Sequence, residues 1–364
     1  MYALPSSFPA LELDVNALYV GLTVLAMVVM CLKTYTMMAL EFSESTISPM
    51  ANADLERLLR DIPAHALKPL TSKSKACIQR LRTCQIDRPD LSRQPRRKLA
   101  AVLVLLYEQS GELRVLLTTR SKSLRAHPGQ TALPGGKADD TDGSLIWTAF
   151  REANEEVGLP LPSTSSNIHF VTTLPPFLST SQLLVMPVVA FSSSLSSSLL
   201  PSSPLVSDSS SNSTSDKLSS PSSHPILSSL TPSLTEVDRI FDHPLEAMLD
   251  PQLILNNGEP LVGEGEDWPY GAGEVHNTTD VRFDAYDGLI YRMHRFRTCA
   301  SPIKGLTADI LTSVAELAYG RKPVYGQHPS NSEDDQGETY RAVVNRRIAE
   351  NEMALKTLEG GGKV

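Results

Sequence analysis

Cysteine is scarce in this chain, and the few cysteines present are not grouped. Four occur among 364 residues, at Cys31, Cys77, Cys84 and Cys299. They form no Cys-x-x-Cys pair and no Cys/His set with the spacing of metal ligands. This absence argues against the common cysteine-based zinc sites, and it indicates unpaired thiols in a reducing compartment.

Positive charge is also scarce relative to negative charge, and the formal net charge at pH 7 is −8. A nucleic-acid binder neutralises phosphates with lysine and arginine, so the sequence argues against that class of protein. A small substrate that carries phosphate remains compatible, since metal ions can supply positive charge locally. Apolar residues make up 41% of the chain, which allows a sizeable core in one large domain or two small ones.

One long uncharged segment lies near the N-terminus. Asp14 and Lys33 are separated by 18 residues without charge, and residues 17–32 are almost entirely apolar, at the short end for a membrane span. A cleaved signal peptide fits poorly, because Glu12 and Asp14 stand where positive charge is expected. We therefore expect a membrane anchor at 17–32, with the main domain on the cytoplasmic side because of the basic residues that follow. A buried helix and a later translation start are the alternatives.

A serine-rich segment interrupts the second half of the chain. Of the 39 residues at 192–230, 20 are serine, with prolines scattered between them. Such a composition buries too little apolar surface to offset the entropy of ordering. We expect a disordered insert within a domain, and a target for phosphorylation, rather than a boundary between two domains.

The remaining patterns divide the chain into parts and predict alternating strands and helices. The predicted parts are an apolar segment at 1–50, a helical or linker region at 51–96, a main domain at 97–325 and a charged tail with a helix at 326–364. The predicted strands begin with Lys98–Tyr107 and Leu113–Thr119, which form a hairpin or lie as two neighbouring strands. The later ones are Ile168–Thr173, Leu183–Phe191, Val237–Phe241 and Leu289–Arg297. The predicted helices are Leu145–Val157, a short one ending at Leu249, Gly305–Gly320 and Tyr340–Leu358.

The residues that indicate chemistry are concentrated at 151–158, where the sequence runs Arg-Glu-Ala-Asn-Glu-Glu-Val-Gly. On a helix, Glu152, Glu155 and Glu156 share one face. Three carboxylates so close repel one another, and a hard cation such as Mg²⁺ between them relieves that repulsion. Arg151 can pair with one glutamate and hold its orientation. Taken alone, the segment is also compatible with an ordinary solvated helix face.

The wider context resembles a known family signature. Gly135 and Gly136, a spacer, and the Arg-Glu-x-x-Glu-Glu-x-Gly segment at 151–158 resemble the Nudix box. The resemblance implies an α/β fold, the Nudix α/β/α sandwich with a mixed sheet, interrupted here by the disordered serine-rich insert. It also implies that the catalytic residues are Glu152, Glu155, Glu156 and Arg151. The three glutamates would hold Mg²⁺ or Mn²⁺, with Arg151 beside them.

The box departs from its usual form in one respect. The usual box has glutamate six residues after its first glycine, whereas here Asp142 stands six after Gly136. Eight residues rather than seven then separate that acid from Arg151. This spacing, with aspartates at positions like Asp139 and Asp142, resembles the coenzyme A diphosphatase branch of the Nudix family.

A second signature upstream of the box points to the same branch. Leu116–Ser121, Leu124-Arg125, Gly129-Gln130 and Leu133–Gly136 resemble the coenzyme A motif, with Leu133 in place of a common phenylalanine. The forked guanidinium of arginine suits phosphate groups. The resemblance therefore implies that the substrate is bound by Arg120, Ser121, Arg125, Gly129, Gly135 and Gly136.

The activity implied by these features is hydrolysis of a diphosphate bond. Coenzyme A and its acyl derivatives are the substrates that the resemblance implies, and the products are 3′,5′-ADP and 4′-phosphopantetheine. The metal neutralises the diphosphate and lowers the pKa of an attacking water. The general base is either a box glutamate or an acid from Glu264–Asp267.

Three alternative functions remain open at this point. In the first, the substrate is another nucleoside diphosphate compound, such as NADH or ADP-ribose. In the second, the domain is catalytically silent and binds a nucleotide or a protein. In the third, the protein is mainly a membrane-tethered interaction platform. The family resemblance implies mitochondria or peroxisomes, although the chain does not end in the peroxisomal Ser-Lys-Leu signal.

Overall fold

The structure, a computed structural model, describes residues 61–161, 165, 167–193, 225–283, 288–329 and 336–360. All of these residues belong to one compact unit. The predicted anchor at 17–32 lies outside them, as does most of the predicted insert at 192–230. None of the helices within the described ranges combines enough length with enough apolar character to traverse a lipid bilayer.

The elements alternate along the chain. The strands are β1 (Leu99–Gln109), β2 (Glu112–Arg120), β3 (Thr131–Ala132), β4 (Gly135–Lys137), β5 (Ile168–Thr173), β6 (Phe177–Leu178), β7 (Leu184–Ser192), β8 (Val237–Pro244), β9 (His276–Phe283), β10 (Leu289–Phe296) and β11 (Ile303–Lys304). The helices are α1 (Ala64–Leu67), α2 (Ser72–Thr83), α3 (Leu145–Val157), α4 (Pro225–Ser229), α5 (Leu253–Asn256), α6 (Gly305–Tyr319) and α7 (Gln336–Gly360), with 3₁₀ turns at Arg96–Lys98 and Leu245–Met248.

The main sheet is mixed and contains the β1–β2 hairpin at its centre. Ser110 and Gly111 form the two-residue turn, and both have a positive φ, as the tight turns of hairpins require. On its other edge β1 pairs in parallel with β7, and β7 pairs antiparallel with β5. The second arm of the hairpin, β2, pairs antiparallel with β8. The resulting order is β8-β2-β1-β7-β5, so the parallel pair lies inside the sheet.

The two arms of the hairpin separate away from the turn, and a short segment fills the gap between them. β1 pairs with β2 at Leu106–Gln109 but with β4 at Ala100–Val102. β2 in turn pairs with β3 at Thr118 and Thr119. The Leu-Pro-Gly-Gly segment at 133–136 is therefore wedged between β1 and β2, and its backbone is fixed by the sheet.

Helices cover both faces of the main sheet. Successive side chains of a strand point to opposite faces, and β1 shows this alternation. Leu103 and Leu105 pack against Phe150 of α3, whereas Val104 and Leu106 pack in the cluster that contains α2 and α6. Full burial of such side chains contributes about 1.5–3 kcal/mol each. The predicted α/β/α sandwich with a mixed sheet is confirmed.

The segments on either side of the predicted main domain also pack against it. On the N-terminal side, α2 buries Ile78 and Leu81 in the same cluster as α6. On the C-terminal side, α7 buries Val344 and Ile348 against Leu184 of β7. The charged helix predicted at 340–358 is therefore part of the packed structure through one apolar face, whereas Met353 on the same helix is exposed.

Most predicted strands and helices are confirmed, and α3 and β5 have the predicted bounds. The short helix expected to end at Leu249 is a 3₁₀ turn. The insert is narrower than the predicted 192–230, because Ser192 is the last residue of β7 and α4 follows from Pro225. Ile226 and Leu227 of α4 pack against the core beside α3. These two apolar side chains give that end of a serine-rich segment a reason to fold.

Candidate active site

The acidic helix α3 is fixed at both ends by hydrogen bonds. At its start, Oγ of Ser144 accepts a hydrogen bond from the backbone N–H of Trp147 at 3.1 Å, which is the usual role of an N-cap serine. At its end, Gly158 has a φ of 67°, and the N–H of Leu159 donates to the carbonyl of Ala153 at 3.3 Å. A left-handed glycine with this bond terminates a helix.

The two faces of α3 have different surroundings. Phe150, Ala153 and Val157 are fully buried against the main sheet, as their spacing predicts. Glu152 and Glu156 lie four residues apart, next to the glycines of β4. Because the apolar face fixes the rotation of the helix, the two carboxylates are held toward the wedged 133–136 segment.

Glu156 is a buried carboxyl group, with only 6% of the residue exposed. Its Oε2 accepts a hydrogen bond from the backbone N–H of Gly135 at 3.3 Å. Burial, with smaller contributions from the negative charges of Glu152 and Glu236, raises the pKa of Glu156 to about 8, although the Gly135 N–H and the Arg120 charge oppose the shift. The ionised carboxylate is thus poorly compensated by the protein, which is the situation in which a bound cation stabilises it most.

Glu152 lies against the second glycine of β4. A Cβ atom at Gly136 would come within 2.5 Å of the Glu152 carboxylate, and one at Gly135 would come within 2.4 Å of the carbonyl oxygen of Ala101. Only glycine fits at these two positions, because neighbouring atoms lie too close to the backbone for a side chain. Burial raises the pKa of Glu152, while the neighbouring Arg151 opposes this effect.

Arg151 connects the acidic face to the loop before α3. Its Nε and Nη2 donate to the two carboxylate oxygens of Asp142 at 2.8 and 2.9 Å. The guanidinium also donates to Glu152 at 3.1 Å and to Glu155 at 2.9 Å. Burial of Asp142 raises its pKa, but the bonds from Arg151 and from nearby N–H and O–H groups lower it on balance. Asp142, the acid at the unusual spacing, therefore anchors Arg151.

The upstream residue Arg120 lies next to the acidic face. Its backbone N–H donates to the carbonyl of Gln130 at 2.9 Å, and the N–H of Gly129 donates to the carbonyl of Arg120 at 3.0 Å. Gly129 has a φ of 68°, which glycine adopts without strain. The charge of Arg120 lowers the pKa of Glu156. The loop between β2 and β3 is thus closed by its backbone. The Arg120 side chain donates to the carbonyl of Ala126 within this loop, and its charge acts on Glu156.

Ser121 and Arg125, two further substrate-binding candidates upstream of the box, have different surroundings in the structure. Ser121 is buried, and its Oγ lies 2.8 Å from Oγ of Ser123, so this hydroxyl serves the loop itself. Arg125 is exposed, and no contact among the described residues joins it to the glutamates of α3. Arg125 therefore faces solvent, where only a bound ligand could connect it to the site.

One acidic residue of the site, Glu236, comes from the segment that follows the insert. Its carbonyl accepts a hydrogen bond from the N–H of Ser121 at 2.8 Å. Its negative charge raises the pKa of both Glu152 and Glu156. The N–H of Ser233 donates to the carbonyl of Glu156 at 2.8 Å. This segment is therefore bound to the end of α3, and it brings a third chain region to the carboxylates.

Glu236 is a site residue that the sequence did not predict. The whole insert separates Glu236 from the box. The one feature of the sequence that could have indicated its role is its position directly before the predicted strand at 237–241. The acids predicted in its place, Glu264, Glu266 and Asp267, are exposed in the connection between α5 and β9.

The donors of the site suit a hard divalent cation that the substrate helps to hold. Among the described residues, no group of three or more His, Cys, Asp or Glu side chains is arranged to bind a metal ion. Glu152 and Glu156 supply carboxylates on neighbouring turns, and Arg151 donates to both Glu152 and the more exposed Glu155. Mg²⁺ is usually held by one or two protein carboxylates, with substrate phosphates and water as the other ligands. The carboxylates present fit that mode of binding.

Comparison with known proteins identifies the fold. Residues 97–199 match the family model described as NUDIX domain, so the chain contains a Nudix domain. It is 34% identical over 239 residues to Nudix hydrolase 15, mitochondrial, of Arabidopsis thaliana, an alignment that covers 65% of each protein. Nudix hydrolase 22, chloroplastic, of the same plant is 33% identical over 65% of this chain and 60% of its own length.

A bacterial protein matches a shorter region at higher identity. The uncharacterized Nudix hydrolase NudL of Enterobacter sp. (strain 638) is 46% identical over 108 residues, which cover 29% of this chain and 53% of that protein. This chain thus spans between 53% and 65% of the length of these three curated relatives.

Proposed function

We propose that this chain is a metal-dependent Nudix hydrolase that cleaves the diphosphate bond of coenzyme A and of its acyl derivatives, giving 3′,5′-ADP and 4′-phosphopantetheine. The observation that carries the proposal is the buried carboxyl group of Glu156, which lies beside Glu152 and the β4 glycines with little positive charge to balance it. Metal cations allow a diphosphate, itself an anion, to bind at such an acidic site. The NUDIX domain match supports the same class of reaction.

Mg²⁺ or Mn²⁺ fits this site as the resident metal. Glu152 and Glu156 would hold it, with Glu155 beside them. When bound, the metal neutralises the diphosphate and lowers the pKa of a water molecule. Arg151, anchored on Asp142, keeps Glu152 and Glu155 in place through its hydrogen bonds.

Arg120 and Glu236 supply the remaining chemistry of the site. Arg120 lies close enough to Glu156 to act on its pKa, and its guanidinium can donate to the phosphate that enters there. Glu236 is exposed, so its carboxylate can exchange protons with solvent, as a general base must between turnovers. Glu236 is our candidate for the base, and the box glutamates are its alternative.

The choice of coenzyme A rests on the motif upstream of the box. Arg120 and Gly129 of this motif meet at the mouth of the β2–β3 loop, and the exposed Arg125 is accessible to the nucleotide end of a substrate. Ser121 holds the loop, and Gly135 and Gly136 let the backbone approach the carboxylates. Together these residues form the proposed substrate-binding surface.

We further propose a location in mitochondria or peroxisomes, with residues 17–32 as a membrane anchor and the enzyme on the cytoplasmic side. The name of one plant relative, which includes the word mitochondrial, supports the first part. The uncharged 17–32 segment supports the second. Fractionation of cells that express the full chain and a 50–364 variant tests both parts, and equal recovery of the two forms in the soluble fraction would refute the anchor.

The reaction is tested by product analysis. The purified full chain is incubated with Mg²⁺ or Mn²⁺ and with coenzyme A, NADH or ADP-ribose in parallel, beside Glu156→Gln and a surface control, Glu274→Gln. We expect 3′,5′-ADP from coenzyme A with the wild type and the control, and none with Glu156→Gln. Cleavage of NADH or ADP-ribose alone would refute coenzyme A as the substrate while preserving the hydrolase. No cleavage by the folded protein would leave a silent ligand-binding domain.

A further inference from the structure

A cavity of about 160 Å³ lies beside the three-stranded sheet of β9, β10 and β11. Its walls come from β6, β10, α6, residues 325–328 and α7, whereas the diphosphate site is built on β4 and α3. A cavity of roughly 150 Å³ is large enough for a molecule the size of benzene. The cavity therefore has room for a ligand of about six non-hydrogen atoms.

Aromatic rings make up much of the cavity wall. Phe177, Tyr291, Tyr325 and Tyr340 all line it. Each ring carries a negative face, which attracts a cation within about 6 Å of the ring centre. On the side where the rings cover a ligand, an electrostatic interaction is stronger than at an open protein surface.

One carboxyl group faces this aromatic cavity. Asp309 of α6 lines the cavity, and its Oδ2 accepts a hydrogen bond from the hydroxyl of Tyr291 at 2.7 Å. Within the described part of the chain, no second donor and no cationic side chain is bonded to this carboxyl group. Burial raises the pKa of Asp309 to about 7. Among the residues that the structure describes, the ionised form thus has one neutral partner, the Tyr291 hydroxyl, and no second hydrogen-bond donor.

Two basic groups of the wall, Arg292 and His294, are engaged elsewhere. Arg292 donates to the two carboxylate oxygens of Asp280 at 2.8 and 3.0 Å and to the carbonyl of His328 at 2.7 Å. His294 lies between His276 and the carbonyl of Gln327, at 3.0 and 3.1 Å. Burial lowers the pKa of His294, which favours its neutral form. The charge of Arg292 is thus balanced by Asp280, and neither Arg292 nor His294 offers an unbalanced positive charge to an anionic ligand.

We propose that this cavity binds a small alkylammonium ion, with its ammonium group on the Asp309 carboxylate and its alkyl chain against the surrounding rings. An ammonium group supplies both the charge and the N–H donors that this carboxylate lacks. The alkyl chain gains from burial against aromatic surface. A neutral ligand would leave the charge uncompensated, and an anion would be repelled by it. The proposal does not depend on the activity of the diphosphate site.

Calorimetric titration of the full chain with butylammonium at pH 8, where the Asp309 carboxyl group is mostly ionised, tests the proposal, with butanol and butyrate as probes of the same chain length. We expect saturable binding of butylammonium only, together with a rise in the thermal unfolding midpoint of about 2 °C at high ligand excess. Asp309→Asn keeps the side-chain shape and an acceptor for Tyr291, and it should weaken butylammonium binding at least about tenfold. The exposed Asp238→Asn is the matched control and should bind as the wild type does.

A second variant separates loss of charge from loss of space. Ser313 also lines the cavity, and Ser313→Leu fills it while Asp309 is retained, so it should abolish binding as well. Nα-acetyl-lysine methylamide, titrated in parallel, distinguishes a lysine side chain from a free amine as the source of the ammonium group. Equal binding of butanol, no binding of butylammonium, or unchanged binding by Asp309→Asn would each overturn the proposal.

Discussion

The carboxylate of Glu152 lies so close to Gly136 that a Cβ atom on this glycine would come within 2.5 Å of it. The β4 backbone and the acidic helix are thus in direct contact at the place where a metal and a diphosphate would meet. The position of the Glu152 carboxylate therefore requires glycine at 136, and the effect of a side chain there on turnover can be measured.

Replacing Gly136 with alanine should reduce kcat by about 10- to 100-fold, because the added methyl group displaces the Glu152 carboxylate from its position. The matched control is Gly143→Ala, since a Cβ atom at Gly143 would meet nothing within 4 Å. Steady-state kinetics of both variants with Mg²⁺ and coenzyme A check this. Equal rates for the two variants would show that the Glu152 position is not important for turnover.

Glu156→Gln should lower kcat at least about a hundredfold while the protein remains folded, because the amide removes the negative charge on which a bound metal depends. The exposed Glu274→Gln carries the same chemical change outside the site and should keep full activity. Kinetics and circular dichroism of the two variants are compared side by side. Substantial activity in Glu156→Gln would remove Glu156 from the proposed metal site.

The raised pKa of Glu156 has a consequence for stability without metal. Its pKa is about 8 in the folded protein, against an ordinary value of 4.5 for a glutamate in water. Between these values the folded state holds more protons than the unfolded state, so this group lowers the free energy of unfolding as pH rises from about 5 to about 8. A tenfold difference in proton affinity between the two states corresponds to about 1.4 kcal/mol.

Urea unfolding at pH 5 and pH 8, in the presence of a chelator, measures this effect. The wild type should lose more stability between the two pH values than Glu156→Gln, whose amide does not titrate. The difference between the two proteins removes the contribution of all other groups. Parallel pH dependence in both proteins would contradict the raised pKa.

Glu236→Gln should lower kcat and change its pH profile, because Glu236 is our candidate base and acts electrostatically on Glu152 and Glu156. The comparison is Glu266→Gln, which changes one of the exposed acids between α5 and β9. We expect the acidic limb of the kcat profile to disappear in Glu236→Gln and to persist in Glu266→Gln. The reverse pattern would assign the base to the 264–267 stretch.

Arg151→Lys should destabilise the fold by about 2 kcal/mol, because lysine cannot replace the two parallel bonds to Asp142, whose side chain is 1% exposed. Arg82→Lys is the control, since its partner Asp61 is 95% exposed. Such an exposed pair contributes less than about 1 kcal/mol. Denaturant unfolding of the two variants compares the two ion pairs directly, and similar losses would argue against the anchoring role of Asp142.

The acidic helix could be predicted from the sequence in detail. Ser144 and Gly158 mark the ends of α3, and the buried positions from Phe150 to Val157 follow the helical period. The hairpin was equally predictable, because two apolar runs are separated by a short polar turn at 108–111. In each case the signal is local, although the strands of the hairpin extend into the predicted turn and leave only Ser110 and Gly111 to form it.

The features that could not be predicted from the sequence depend on contacts between segments that lie far apart in the chain. Glu236 reaches the site because Ser233 bonds to the end of α3, and the spacing between Glu156 and Glu236 gives no indication of this contact. Likewise, Ile226 and Leu227 are ordered by the core beside α3, although the composition around them is that of a disordered chain. Pairwise contacts of this kind require the sheet order, which propensity and periodicity do not supply.

The two flanks of the serine-rich segment are each tied to the domain. On one side, the N–H of Ser193 donates to the carbonyl of Asn167 at 2.8 Å, and on the other, the N–H of Thr231 donates to the carbonyl of Val157 at 2.9 Å. Doubling the number of residues between two fixed points of a chain costs only about 0.6 kcal/mol. This position is therefore a suitable place to splice an affinity tag or a fluorescent reporter into the chain, with Glu236 left at the carboxylates.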